Sequence, residues 1–256
     1  PITDDDFPKA GACAFLDGYI VFVEPYTGRF FASDLRDVSS YDGLNFATAE
    51  GAPDGLISLA VDHRQIVLIG SQSTELWDNV GQAGFPFARA GNGFMELGGA
   101  AAHGVTKQDQ SVYMLASDRT VRRLQGVTWN RVSQHGVEEA IKSYVRVDDC
   151  RAFACAISGH LCTVWNFPSA DATWIYDATT NEWHERESFP NFGMWDVSGI
   201  VECYGKTFVQ RASDGAVGIL SATEYSEWGA ALRYSWTYQG LYGSGNRVYT
   251  GRLELG

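Results

Sequence analysis

Basic residues, cysteines, prolines and long apolar runs are all scarce in this chain, and each scarcity excludes something. Only 19 of the 256 residues are lysine or arginine against 31 acids, a net charge of −12. A surface of that sign gains nothing from neutralising phosphates, the main source of non-specific DNA affinity, and nothing from anionic lipid headgroups. The longest apolar runs, residues 18–23 (GYIVFV) and 65–70 (QIVLIG), fall far short of the ~18 residues a membrane-spanning helix needs. The five cysteines, Cys13, Cys150, Cys155, Cys162 and Cys203, are too few and too uneven for a disulfide scaffold, which fits assembly in a reducing compartment. No basic leader precedes an apolar stretch, and the chain opens PITDDDFP without a methionine. A fragment or processed chain is therefore expected, with residues 247–256 (RVYTGRLELG) reading as a strand.

What is present packs a core. The chain is 45% hydrophobic and 13% aromatic, which excludes a disordered polymer. The periodicity is almost all of period two. Residues 19–23, 66–69, 112–115, 161–166, 174–176 and 206–210 are short, rich in valine, isoleucine and aromatics, and bounded by turn residues, so they read as strands. One window, residues 135–144 (HGVEEAIKSY), carries a helical pattern, with Glu138 and Glu139 early and Lys142 late to suit the helix dipole.

The strands recur. Similar strand-turn-strand units begin near Tyr19, Gln65, Ser111, His160 and Lys206, spaced 46, 46, 49 and 46 residues apart. A repeat of that length built from about four short strands is the signature of a β-propeller blade. The fourth unit shows it best, with Trp174-Ile175-Tyr176-Asp177, a Thr-Asn turn and then Trp183, in the manner of a kelch hairpin. The expected fold is all-β and propeller-like, one domain over residues 1–256 with five visible blades of about 46 residues, incomplete at both ends; a two-sheet sandwich is the alternative. Glycines (28) outnumber prolines (7), as many tight turns at positive φ require.

Candidate chemistry is thin. Cys150, Cys155, His160 and Cys162 form the one metal-like cluster, but Cys155 and Cys162 stand in apolar strand runs where a thiol behaves as a small hydrophobe, so no metal is expected. Asp4, Asp5 and Asp6 are adjacent, without the alternating spacing and turn glycine of a calcium loop. They read as a solvated acidic turn. The first 64 residues hold eleven acids and four bases, which suggests an acidic face rather than a catalytic pair. There is no Gly-x-Ser-x-Gly elbow, no phosphate loop, and the GNG of residues 91–93 does not continue as a dinucleotide fingerprint. Ser213-Asp214-Gly215 lacks the spacing and tryptophan of a sialidase Asp-box. Neither catalysis nor a cofactor is expected, and Trp77, Trp174 and Trp183 are expected to pack between blades rather than bind sugar.

The segments ITDDDFP (residues 2–8), AFLDGY (14–19), LNFATAEG (44–51), VDHR (61–64), STELW (73–77), GFPF (84–87), HGVEEAI (135–141), FPSADATW (167–174) and DATTNEWHER (177–186) together resemble, in order, the packaged-DNA stabilisation proteins of short-tailed bacteriophages. The resemblance implies a virion protein of the tail hub, assembled in the host cytoplasm: a propeller-like subunit in a ring, usually of six, below the portal and its head-to-tail adaptor. Such a ring seals packaged DNA, docks further tail parts such as a needle, fibre or spike, and lets DNA pass without sequence-specific binding. It implies no catalytic residues, and it gives Asp4, Asp5 and Asp6 a channel or a neighbouring subunit to face. The readings that compete are a kelch-like or lectin-like binding module and, more remotely, a propeller glycoside hydrolase; oligomeric state separates them from a tail ring.

Overall fold

The computed structural model describes residues 2–189, 192–221 and 223–232, with the backbone of two short strands at 242–243 and 246–247. Four consecutive four-stranded antiparallel meanders form the first four blades. Blade 1 is β1 (Ala12–Leu16), β2 (Tyr19–Val23), β3 (Arg29–Ala32) and β4 (Phe46–Thr48). Blade 2 is β5 (Leu56–Asp62), β6 (Gln65–Gly70), β7 (Thr74–Asn79) and β8 (Phe87–Met95). Blade 3 is β9 (Val105–Gln108), β10 (Ser111–Leu115), β11 (Val121–Gln125) and β12 (Thr128–Arg131). The helix α1 (His135–Ser143) follows, then blade 4 with β13 (Arg151–Ile157), β14 (His160–Phe167), β15 (Ala172–Asp177) and β16 (Glu182–Glu185). A small hairpin, β17 (Glu187–Ser188) with β18 (Gly193–Met194), leads to blade 5, whose described sheet has three strands: β19 (Val197–Cys203), β20 (Lys206–Arg211) and β21 (Val217–Ile219). Two short hairpins come last: β22 (Ser226–Glu227) with β23 (Ala230–Ala231), and β24 (Tyr242–Gly243) with β25 (Asn246–Arg247).

The repeat read from the sequence is the second strand of every blade, since Tyr19, Gln65, Ser111, His160 and Lys206 open β2, β6, β10, β14 and β20. The single wider spacing is the unit into which α1 is inserted. The first strands β1, β5, β9, β13 and β19 adjoin one another in chain order, as the inner strands of propeller blades do. Most of the expected strand at 247–256 lies outside the described residues.

The second strands look continuously apolar because both of their faces are buried. On β6, Ile66 and Leu68 join the core shared with blade 1, while Val67 and Ile69 join the core shared with blade 3. On β10, Val112 and Met114 turn to blade 2, and Tyr113 and Leu115 to blade 4. The core is thus four layers, one per blade interface. Trp77 belongs to the first, and Trp174 and Trp183 pack against the third, so these three tryptophans are inter-blade residues. The α1 helix adds Val137 and Ile141 to that third layer. Its C-terminal carbonyls are held by Arg119, whose Nη1 donates to Lys142 O at 3.0 Å and Tyr144 O at 2.7 Å.

Each blade turns from its first to its second strand through two residues that both have positive φ: Asp17-Gly18, His63-Arg64, Asp109-Gln110, Ser158-Gly159 and Tyr204-Gly205. This is the type I′ geometry, which matches the right-handed twist of the paired strands. Three of the five turns place glycine second, but blades 2 and 3 place Arg64 (φ 65°) and Gln110 (φ 53°) there. A side chain in that region costs about 1–2 kcal/mol. Gln110 is exposed, so Gln110→Gly is expected to raise stability by about 0.5–1 kcal/mol, read as a higher urea midpoint at unchanged slope.

Candidate assembly surfaces

The inner strands carry four charged residues: Asp62, Lys107, Arg151 and Glu202. Three of them tie blades together. Lys107 Nζ donates to Val61 O at 2.9 Å and lies 3.4 Å from Asp62, joining blades 3 and 2. Glu202 Oε1 accepts from the Ala156 amide at 2.8 Å, joining blades 5 and 4. Gln108 Nε2 bridges blade 3 to the Cys155 carbonyl at 3.0 Å. This set stitches neighbouring blades.

A second stitching pattern escaped the sequence reading. Asp54, Asp149 and Asp196 each stand just before an inner strand, and each holds the serine of the loop between the second and third strands of its blade. Asp54 accepts from the Ser73 amide and hydroxyl at 3.0 and 2.7 Å. Asp149 accepts from the Ser169 amide at 2.8 Å, and Asp196 from the Ser213 amide and hydroxyl at 2.9 and 2.8 Å. The signal was an Asp–Ser pair at nearly constant separation in three of the repeats. Three of the 31 acids are spent this way, on turns.

Of the three adjacent aspartates, Asp4 is structural. Its carboxylate accepts from the Tyr41 amide at 3.0 Å and the Asp6 amide at 2.9 Å. That contact seats Phe7 edge-on against Phe22, Phe31 and Tyr41, with ring centroids 4.8–5.7 Å apart. The result is a plug over the face of blade 1 turned away from blade 2. Asp5 and Asp6 are exposed beside it, at the end of the blade row and off the inner strands.

The structure divides the cysteine–histidine cluster between two layers. Cys150 lies in the core between blades 3 and 4, whereas Cys155 and Cys162 face each other in register in the core between blades 4 and 5. Burial pushes the Cys150 thiol well up, that of Cys155 up to about 12 and that of Cys162 to about 11, so these thiols pack as neutral hydrophobes. His160 Nδ1 instead meets Asp177 Oδ2 at 2.6 Å. Burial pulls the Asp177 carboxyl upward, but the Thr179 amide, His160 and the Thr180 hydroxyl outweigh it and hold the carboxyl at about 2.

Because that value is depressed from 3.8, the Asp177 contribution is complete above the unfolded-state value and is lost as pH falls from about 4 to about 2. Asp177→Asn is therefore expected to lower stability by about 1–2 kcal/mol at pH 7. The gap to the parent should close through that acid window in urea melts repeated at each pH.

A cavity of about 460 Å³ opens between blades 4 and 5, lined by Ile175, Val197, Val209, Trp228, Arg186 and Glu227. Arg186 stacks over Trp195 at 4.9 Å. The same blade presents its other face to solvent: Val201, Phe208 and Ile219 are opposed in one cross-strand row, with Val201 57% and Ile219 50% exposed.

A propeller fold is also what comparison with known families finds. The family model described as bacteriophage P22 Gp10, beta-propeller, matches residues 2–225. The chain belongs to this family. Membership makes it a bacteriophage structural protein of propeller fold, and the sheets described here form an open row of blades. Comparison with curated proteins returns no match. Among solved structures, BamB from Moraxella catarrhalis aligns at 11% identity over 84% of this chain and 70% of that one, with a TM-score of 0.40. The extracellular domain of the one-component system BT4673 from B. thetaiotaomicron aligns at 8% identity over 83% of this chain and 26% of that one, with a TM-score of 0.45.

Proposed function

We propose that this protein is a non-catalytic subunit of a phage tail hub, a head-completion ring that plugs the portal, retains packaged DNA and docks the remaining tail components. The observation that carries the reading is membership, over residues 2–225, of the family described by bacteriophage P22 Gp10. Charge supports it: a subunit with net charge −12 offers few phosphate contacts, so DNA passing along it is repelled rather than gripped. The inner-strand chemistry supports it too, because three of the four charges there are engaged between blades.

In this reading the protein works as a homo-oligomeric ring, a hexamer, seated on the head-to-tail adaptor in the virion. Exposed Asp5 and Asp6 belong to a face turned to the channel or to a neighbouring subunit.

The decisive experiment measures the mass of the protein by light scattering, alone and with the portal adaptor. A ring, or a monomer that becomes a ring on the adaptor, is the expected result. A monomer indifferent to the adaptor would overturn the reading in favour of a monomeric binding module. Within an assembling phage, Asp5→Lys with Asp6→Lys is expected to impair DNA retention or ejection; unchanged behaviour would remove the acidic face from the proposal.

A further inference from the structure

The cavity between blades 4 and 5 carries two charges that the fold leaves unanswered. Arg186 Nε and Glu227 Oε2 are both buried without a hydrogen-bond partner, and both residues line that cavity. Elsewhere such atoms have an opposite charge at hand: Glu24 and Arg29 pair at 3.4 Å, and Asp62 lies 3.4 Å from Lys107. A buried polar atom without a partner costs stability, most of all when it is charged. Two of opposite sign kept in one cavity point to a ligand that satisfies both.

The two side chains are held ready for it. The Arg186 guanidinium is stacked 4.9 Å over the ring of Trp195. Glu227 Oε1 accepts from the Ser188 hydroxyl at 2.7 Å, and that hydroxyl accepts from the Asp196 amide at 2.8 Å. Groups fixed before binding lose little freedom when a ligand arrives. Between them the wall is apolar, with Ile175, Val197 and Val209 buried in it. A volume of about 460 Å³ suits a small molecule, and an apolar wall with a few fixed polar groups is the ordinary make-up of such a site.

The polar pair also states what the ligand must be. Arg186 only donates and the Glu227 carboxylate only accepts, so the ligand's head needs both an acceptor and a donor. The two buried charges cancel, and Glu224, the other acid of the lining, is exposed to water. A phosphate or a lone carboxylate is repelled by Glu227, and a lone ammonium by Arg186. A zwitterion meets both, but it must shed the hydration of two ions against an apolar wall. A carboxamide offers a carbonyl oxygen and N–H donors on one planar group, at a smaller desolvation cost.

We propose that this cavity binds a small molecule with an apolar body and an uncharged carboxamide head, its carbonyl bonded to Arg186 and its N–H to Glu227. Such a ligand touches Ile175 of blade 4 and Val197 and Val209 of blade 5, so its binding ties the two blades together. The site is independent of the tail-ring reading.

The test titrates N-acetyl-leucinamide into the full 256-residue chain and follows the tryptophan indole N–H signals by NMR. The expected result is a saturable shift of Trp195 and Trp228, which line the cavity, while Trp77 and Trp129 in blades 2 and 3 stay still. Glu227→Gln, which loses the free acceptor, and Arg186→Lys, which loses the planar fork, are each expected to weaken binding about tenfold. Unmoved Trp77 and Trp129 signals show that both variants are folded. Saturation should also slow hydrogen exchange in β19 and β20, since binding favours the closed blade interface. Absence of a saturable shift would overturn the proposal, as would equal affinity in both variants, which places the probe elsewhere. Equal or tighter binding of N-acetyl-leucine or of leucine would overturn the uncharged head.

Discussion

Trp165→Ala is expected to cost about 3–5 kcal/mol of unfolding free energy, the range for deleting a large buried aromatic. Trp165 has no exposed surface and is packed with Tyr113, Leu115, Phe167 and Tyr176 in the layer between blades 3 and 4. The cavity left behind is ringed by β-sheet on both sides, and paired strands relax little. The indole Nε1 also donates to the Thr163 hydroxyl at 3.0 Å, and Thr163 is itself fully buried. Truncation therefore adds an unsatisfied polar group to the lost contact. Urea unfolding followed by circular dichroism measures the effect. Trp165→Phe, which keeps most of the volume, should recover a good part of it, and a cost below about 1.5 kcal/mol for the alanine variant would mean that this layer is loosely packed.

The next residue on the same strand gives the second large effect, by a different mechanism. Asn166 is buried, and its Nδ2 donates to Val197 O at 2.6 Å and to Trp195 O at 3.3 Å. Its Oδ1 accepts from the Thr173 hydroxyl at 2.8 Å, and the Thr173 Oγ1 accepts from the Trp195 amide at 2.9 Å. One side chain thus clamps the connection into blade 5 onto blade 4. Asn166→Ala takes a donor from Val197 O and the acceptor from the Thr173 hydroxyl, and is expected to cost about 2–4 kcal/mol. The distribution of the loss is as informative as its size. Hydrogen exchange should quicken through β19 and β20 while β6 and β10 keep their protection, because the damage is confined to one blade interface. Asn166→Asp, isosteric but unable to donate to Val197 O, should fare no better than alanine. Uniform loss across all five sheets would show instead that the blades unfold as a single unit.

These two neighbours show why the fold was legible in the sequence. Trp165 and Asn166 point to opposite sides of β14, and each side is a blade interface, so the strand reads as unbroken hydrophobicity punctuated by buried polar groups. The same holds for YIVFV, QIVLIG and SVYML. A strand covered on both faces leaves a strong local signature, and the two-residue turn before it fixes the phase, so the 46-residue period, the helix at 135–143 and the inter-blade role of Trp77, Trp174 and Trp183 all followed from residues near one another in the chain. The separation of Cys150 from Cys155 and Cys162 did not, because spacing along a chain does not say which of two layers a side chain enters.

Long-range partners account for the rest. Nothing adjacent to Asp4 announces that it will hold Tyr41 and so bring Phe7 over blade 1. Nothing adjacent to Asp54, Asp149 or Asp196 names the serine nearly twenty residues on that each one anchors. Local pattern and turn chemistry in this sequence determined the strands, their repeat and the class of fold. Only the tertiary structure decided which acids are consumed as turn anchors, which blade face is sealed and which is left open, since those outcomes depend on what each blade meets once the row is assembled.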